Sequence, residues 1–172
     1  SHFAPDALTQ AMALYRELFK PSPQLQSPYA MAGVNVVVAD TDAEARRLFT
    51  THQQSFANLR RGRPGPQQPP IDDIDSYWSP AEKQMAESML ACSVVGAPDT
   101  VRHGLERFAA YSGADELMVV SAIFDPAARR RSYSLLAEIA GLASRQADPA
   151  RRAAGLPAAT NVTCAAARDS SP

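Results

Sequence analysis

The run YAMAGVNVVVAD at residues 29–40 constrains the fold more than any other stretch, because it is rich in β-formers and nearly continuous in apolar residues. A strand with one solvated face alternates apolar and polar residues. A continuous run instead reads as a strand buried on both faces, the habit of parallel sheets. Asn35 interrupts the run, and a polar side chain there needs a hydrogen-bond partner. ELMVVSAIF at 116–124 reads as a second buried strand, and residues 92–95 as a very short one.

The segments between these runs carry helical periodicity. Residues 5–20 place Leu8, Met12, Tyr15 and Phe19 at helical spacing, with Asp6 in the first turn and Pro21 closing it. Thr41-Asp42-Ala43-Glu44 has the form of a capping box, and opens a helix with Ala45, Leu48, Phe49, His52, Phe56 and Leu59 on one face. That helix stops at Gly62. Residues 62–77 are rich in Pro, Gly and Gln, and at this length are expected to be an insertion packed over the scaffold. Ser79-Pro80-Ala81-Glu82 is a second capping box, followed by Met85, Met89 and Leu90. Gly96-Ala97-Pro98-Asp99 turns into a helix carrying Val101, Leu105 and Phe108 inward and ending at Gly113. Asp125-Pro126 starts a last one, through Tyr133, Leu136 and Ile139 to Gly141. Such alternation means an α/β protein with parallel strands and right-handed crossovers.

Ser1-His2-Phe3-Ala4-Pro5 reads as the end of a strand entering a helix, with no strand before it. The chain's 172 residues also fall short of the roughly 250 of a whole (β/α)8 barrel. The expectation is therefore the second half of a larger barrel over residues 1–141, followed by a disordered Ala/Arg-rich tail over 142–172.

Composition excludes several function classes. Lys and Arg total 17 against 18 acidic residues, for a net charge of −1. This leaves no electrostatic footprint for nucleic acid or an anionic membrane. No stretch approaches the roughly 18 apolar residues of a membrane span, and without a signal peptide a cytoplasmic location is expected. Cys92 and Cys164 are too few for a disulfide framework or zinc site, and Cys92 reads as a small buried hydrophobe.

Candidate chemistry is sparse. There is no G-x-G-x-x-G and no P-loop, and no paired carboxylates or Ser–His–Asp set suggest hydrolysis. His52 and His103 share no metal-binding spacing and read as packing or surface residues. The helix opened by Gly96-Ala97-Pro98-Asp99 could attract an anion, but Asp99 in its first turn would compete, so the motif reads as capping. Ser121 and Asp125 lie at the end of the last strand and could face a pocket mouth. Asp125 reads more simply as a helix N-cap.

These stretches together resemble one family. SHFAP, YRELFKPS, PYAMAGVNVVVADTDAEARRL, LRRGRPG and SVVGAPDTVRHGLERFAAYSGADELMVVSAIFD are similar, in order and spacing, to the C-terminal half of bacterial-luciferase-like flavin-dependent monooxygenases. The resemblance covers about residues 1–141. It implies a partial TIM (β/α)8 barrel, from the end of strand 5 through helix 8. It also implies reduced FMN as cofactor, with the deazaflavin F420 as the alternative, and oxidation of a small organic substrate by O2. A flavin reductase would be the partner supplying FMNH2. On the resemblance His2 would lie near the flavin ring, where its imidazole could hydrogen-bond the isoalloxazine edge, and Ser121 is the second cofactor-binding candidate. The family's phosphate-binding region would lie mostly upstream of SHFAP. The competing reading is a non-catalytic half-barrel whose open edges and exposed apolar residues are covered in a homodimer. A small doubly wound α/β domain would also explain the alternation, but not the motifs.

Overall fold

The computed structural model describes residues 7–142; His2 and the tail expected beyond residue 142 lie outside them. The elements follow in the order α1 (Leu8–Leu18), β1 (Met31–Val38), α2 (Asp42–Arg60), α3 (Pro80–Met89), β2 (Val94–Gly96), α4 (Pro98–Ser112), β3 (Glu116–Val120) and α5 (Pro126–Ile139). The fold is α/β, and among the described residues every strand pairing is parallel. Residues 34–38 of β1 are all buried, as its continuous apolar run requires.

The strand order is β2-β1-β3. A barrel walked in chain order would set β2 between the other two, but β1 takes the centre. Its residues 31–35 pair with 116–120 of β3, and its residues 36–38 pair with 94–96 of β2. The very short strand of the sequence reading is therefore an edge piece beside the end of β1. Gly104 brings α4 so close to β2 that a Cβ there would stand 2.5 Å from a Val94 methyl.

On one face of the sheet Ala32, Val34, Val36, Val38 and Leu117 meet Leu8 and Met12 of α1, Val101, Leu105 and Phe108 of α4, and Leu135 and Leu136 of α5. Near the end of β1 the opposite face is covered too, where Val37 and Ala39 pack with Ala45, Leu48 and Ile123. A third cluster joins Phe56 to Trp78, Ala86 and Leu90. The other half of that opposite face stays open. Parallel register puts Met31, Gly33 and Asn35 beside Glu116, Met118 and Val120. There Met31 is 46% exposed, Met118 55% and Val120 38%.

Residues 62–77 pack against α2, and polar groups hold them. Thr50 Oγ1 accepts the Ile71 N–H at 2.9 Å, Thr51 Oγ1 donates to the Gln68 carbonyl at 2.9 Å, and Gln54 Nε2 donates to the Pro69 carbonyl at 2.9 Å. All three side chains are buried, forming a polar stripe on α2 that the apolar periodicity did not reveal. Leu59, expected inward, is exposed. Ser79 and Glu82 form the full capping box, and at α2 Thr41 Oγ1 accepts the Glu44 N–H at 3.2 Å.

Candidate functional site

In parallel α/β folds the loops that carry function gather at the carboxyl ends of the strands. Here those are the residues after Val38, Gly96 and Val120. The strand expected over 116–124 leaves the ladder at Val120, because the next amide turns to a helix: the Ser121 N–H donates to Tyr133 Oη at 3.2 Å. Beside it the Val38 N–H donates to Ser132 Oγ at 3.0 Å, and the hydroxyls of Ser121 and Ser132 stand 3.4 Å apart. Arg131 completes the set with an ion pair to Asp40 at 2.8 Å. Three consecutive residues of α5 thus address the ends of β1 and β3.

The helix N-termini at this end are already matched by carboxylates. Asp42 Oδ1 accepts the Ala97 N–H at 2.7 Å, ahead of α4. That bond first, and the Thr100 hydroxyl second, hold the Asp42 carboxyl below the usual carboxylate range. Gly96 makes the approach possible, since a Cβ there would stand 2.6 Å from Asp42 Oδ1. Asp125 Oδ1 caps α5 through the Ala128 N–H at 2.7 Å, and α2 has Asp42 and Glu44 in its first turn. No helix N-terminus at this end among the described residues is left clear of acid for a phosphate.

Ser121 is buried and turned toward α5, where it bonds as above. Asp125 is the N-cap that its place before Pro126 implied. Asn35 is 3% exposed on β1. His52 lies between the rings of Phe49 and Phe56, at 5.9 and 5.1 Å, as a packing residue. His103 Nδ1 stands 2.9 Å from the Asp99 carbonyl one turn back. Among the described residues no three His, Cys, Asp or Glu side chains gather to hold a metal. No helix there is long and apolar enough to cross a membrane. Sequence reasoning missed Asp42, Arg131 and Ser132. Ser132 had a legible signal: it lies three and four residues before Leu135 and Leu136, on the buried face of α5.

Parallel strands and crossover helices define an α/β protein, and although its strand order is not that of a barrel walked in chain order, the relatives it matches are consistent with a partial barrel. The comparisons with known proteins agree. The chain is 47% identical over 139 residues to the "Luciferase-like monooxygenase" of Escherichia coli (strain K12), a match spanning 81% of this chain and 42% of that protein. It is 43% identical over 139 residues to the uncharacterized protein YvbT of Bacillus subtilis (strain 168), covering 81% of this chain and 41% of the relative. The crystal structure of apo-MsnO8 superposes with a TM-score of 0.70 at 37% identity, over 80% of this chain and 42% of that one. No family model matches the chain. These matches support a luciferase-like family assignment, and the chain spans about two-fifths of the length of the curated relatives it matches.

Proposed function

We propose that the protein is a flavin-dependent monooxygenase that uses reduced FMN and O2 to oxidise a small organic substrate, and that this chain supplies one wall of the flavin site. The observation that carries the reading is the open half-face of β1 and β3, in a chain 47% identical to a luciferase-like monooxygenase. An isoalloxazine is flat and largely apolar. Met118 and Val120, exposed beside Asn35, offer it a surface of matching character.

The described residues fit the ring and not the ribityl phosphate. Each helix N-terminus at this end already faces a carboxylate, so the phosphate would have to be held elsewhere. When bound, the reduced flavin supplies the electrons with which O2 is reduced. This chain's contribution is to hold the ring's face and to keep water from it through Met118 and Val120. A separate flavin reductase would deliver the FMNH2, and His2 would reach the isoalloxazine edge. The test is anaerobic titration of the 172-residue chain with FMNH2, and separately with reduced F420, followed by flavin fluorescence. Saturable micromolar binding of FMNH2 supports the reading. Preference for F420 changes the cofactor, and binding of neither contradicts a flavin wall in this chain.

The exposure of Met31, Met118 and Val120 favours a second reading, in which two copies of the chain cover this face in each other. At a net charge of −1, charge repulsion opposes that association little. A concentration-independent monomer by light scattering would rule it out.

A further inference from the structure

β1 changes partner partway along its length, from β3 at residues 31–35 to β2 at residues 36–38. A fork therefore opens between β1 and β3 toward their carboxyl ends. On each prong an amide beyond the shared ladder is met by α5: Val38 N–H by Ser132, and Ser121 N–H by Tyr133. Consecutive helix residues point about 100° apart, which lets two neighbours reach two diverging strands. Ser132 is 2% exposed and also lies against the Ser121 hydroxyl, so it touches both prongs. Arg131 ties the same turn to Asp40 just past β1.

Ligands of open α/β sheets sit in the crevice outside the carboxyl ends, where neighbouring strands part. We propose that Ser132 and Tyr133 are positioning residues that jointly set the width of the β1–β3 fork, and with it the placement of Val120 against the flavin. The ligand rests on the function proposed above; the joint action on the two strands does not. Independent caps would act singly, each hydroxyl protecting its own amide. A width-setting pair acts across the fork.

The test is residue-resolved amide exchange on the 172-residue chain, wild type against Ser132→Ala, Ser132→Thr and Tyr133→Phe, with FMNH2 titration of each. Ser132→Ala is expected to speed exchange at both Val38 and Ser121 by about fivefold, the size of one net hydrogen bond. Tyr133→Phe should do the same from the other prong, and Ser132→Thr, which keeps the hydroxyl, should restore both sites. The amides of residues 31–35 should keep their protection. Acceleration confined to the amide that lost its partner overturns the joint role. The Kd for FMNH2 should rise about fivefold in the Ala and Phe variants and recover in the Thr variant. Wild-type affinity in both overturns positioning of the flavin wall. If the wild type itself binds no flavin, the proposed cofactor fails for this chain, and the exchange pattern alone decides the fork.

Discussion

Arg61 meets Glu82 side-on, Nε to Oε1 at 2.7 Å and Nη2 to Oε2 at 3.1 Å, and so fastens the end of α2 to the first turn of α3. Its guanidinium also lies over the Tyr77 ring at 4.8 Å. The Arg61 bonds first, and the Ser79 amide and hydroxyl next, pull the Glu82 carboxyl from 4.5 to about 2. A carboxyl depressed on folding stabilises the fold fully above its unfolded value, and that contribution is lost as pH falls through the folded one. Wild type should therefore lose more stability than Glu82→Gln between about pH 4.5 and pH 2. Urea melts of both across that window check it; a pH-independent difference would contradict the assignment.

The Asp42–Ala97 bond depends on the missing side chain of Gly96. Gly96→Ala brings a Cβ to 2.6 Å from both Asp42 Oδ1 and a Thr100 methyl. It should cost about 1–3 kcal/mol, the usual penalty of overpacking. Asp42→Ala should lower the melting temperature more than Asp42→Asn, which keeps an acceptor for the Ala97 N–H. Thermal melts of the three variants order these effects.

Thr50 holds the insertion by accepting the Ile71 N–H at 2.9 Å from a buried position on α2. Thr50→Val keeps the shape and removes the acceptor. Leaving that amide unpaired should cost about 1–3 kcal/mol. Limited proteolysis is expected to cut within residues 62–77 sooner in the variant, while the helix content by circular dichroism is unchanged.

The open half-face makes a prediction of its own. Val120→Lys puts a charge on a side chain that is already 38% exposed, so the fold should survive it. Flavin affinity should drop at least about tenfold, because an apolar contact with the ring is replaced by a hydrated ammonium. Sedimentation velocity on the same samples shows whether self-association falls as well, which is the outcome the two-copy reading requires.

Much of this was legible in the residues. Apolar continuity in 29–40 gave a parallel strand, helical spacing gave the helices, and Ser79-Pro80-Ala81-Glu82 gave a cap that forms in full. What escaped was set by partners distant in sequence. The strand order puts β2 at an edge of β1, and Gly104 lets α4 approach it closely, both through contacts that no local pattern encodes. The end of β3 at Val120 depends on a tyrosine further down the chain, which periodicity counted as core and which is 41% exposed with its hydroxyl bonded. Ser121 was nominated for its place at a strand end, but which way a strand-end side chain turns is decided by the helix that follows. Ser132 turns it inward. His2 lies outside the described residues.

The most direct measurement is an exchange footprint of the 172-residue chain with and without saturating FMNH2 under anaerobic conditions. The account predicts slowed exchange at residues 31–38 and 118–124, along the open face and the fork, with α3 and the insertion unchanged. A footprint absent from β1 and β3 would contradict the claim that these two strands form a wall of the flavin site.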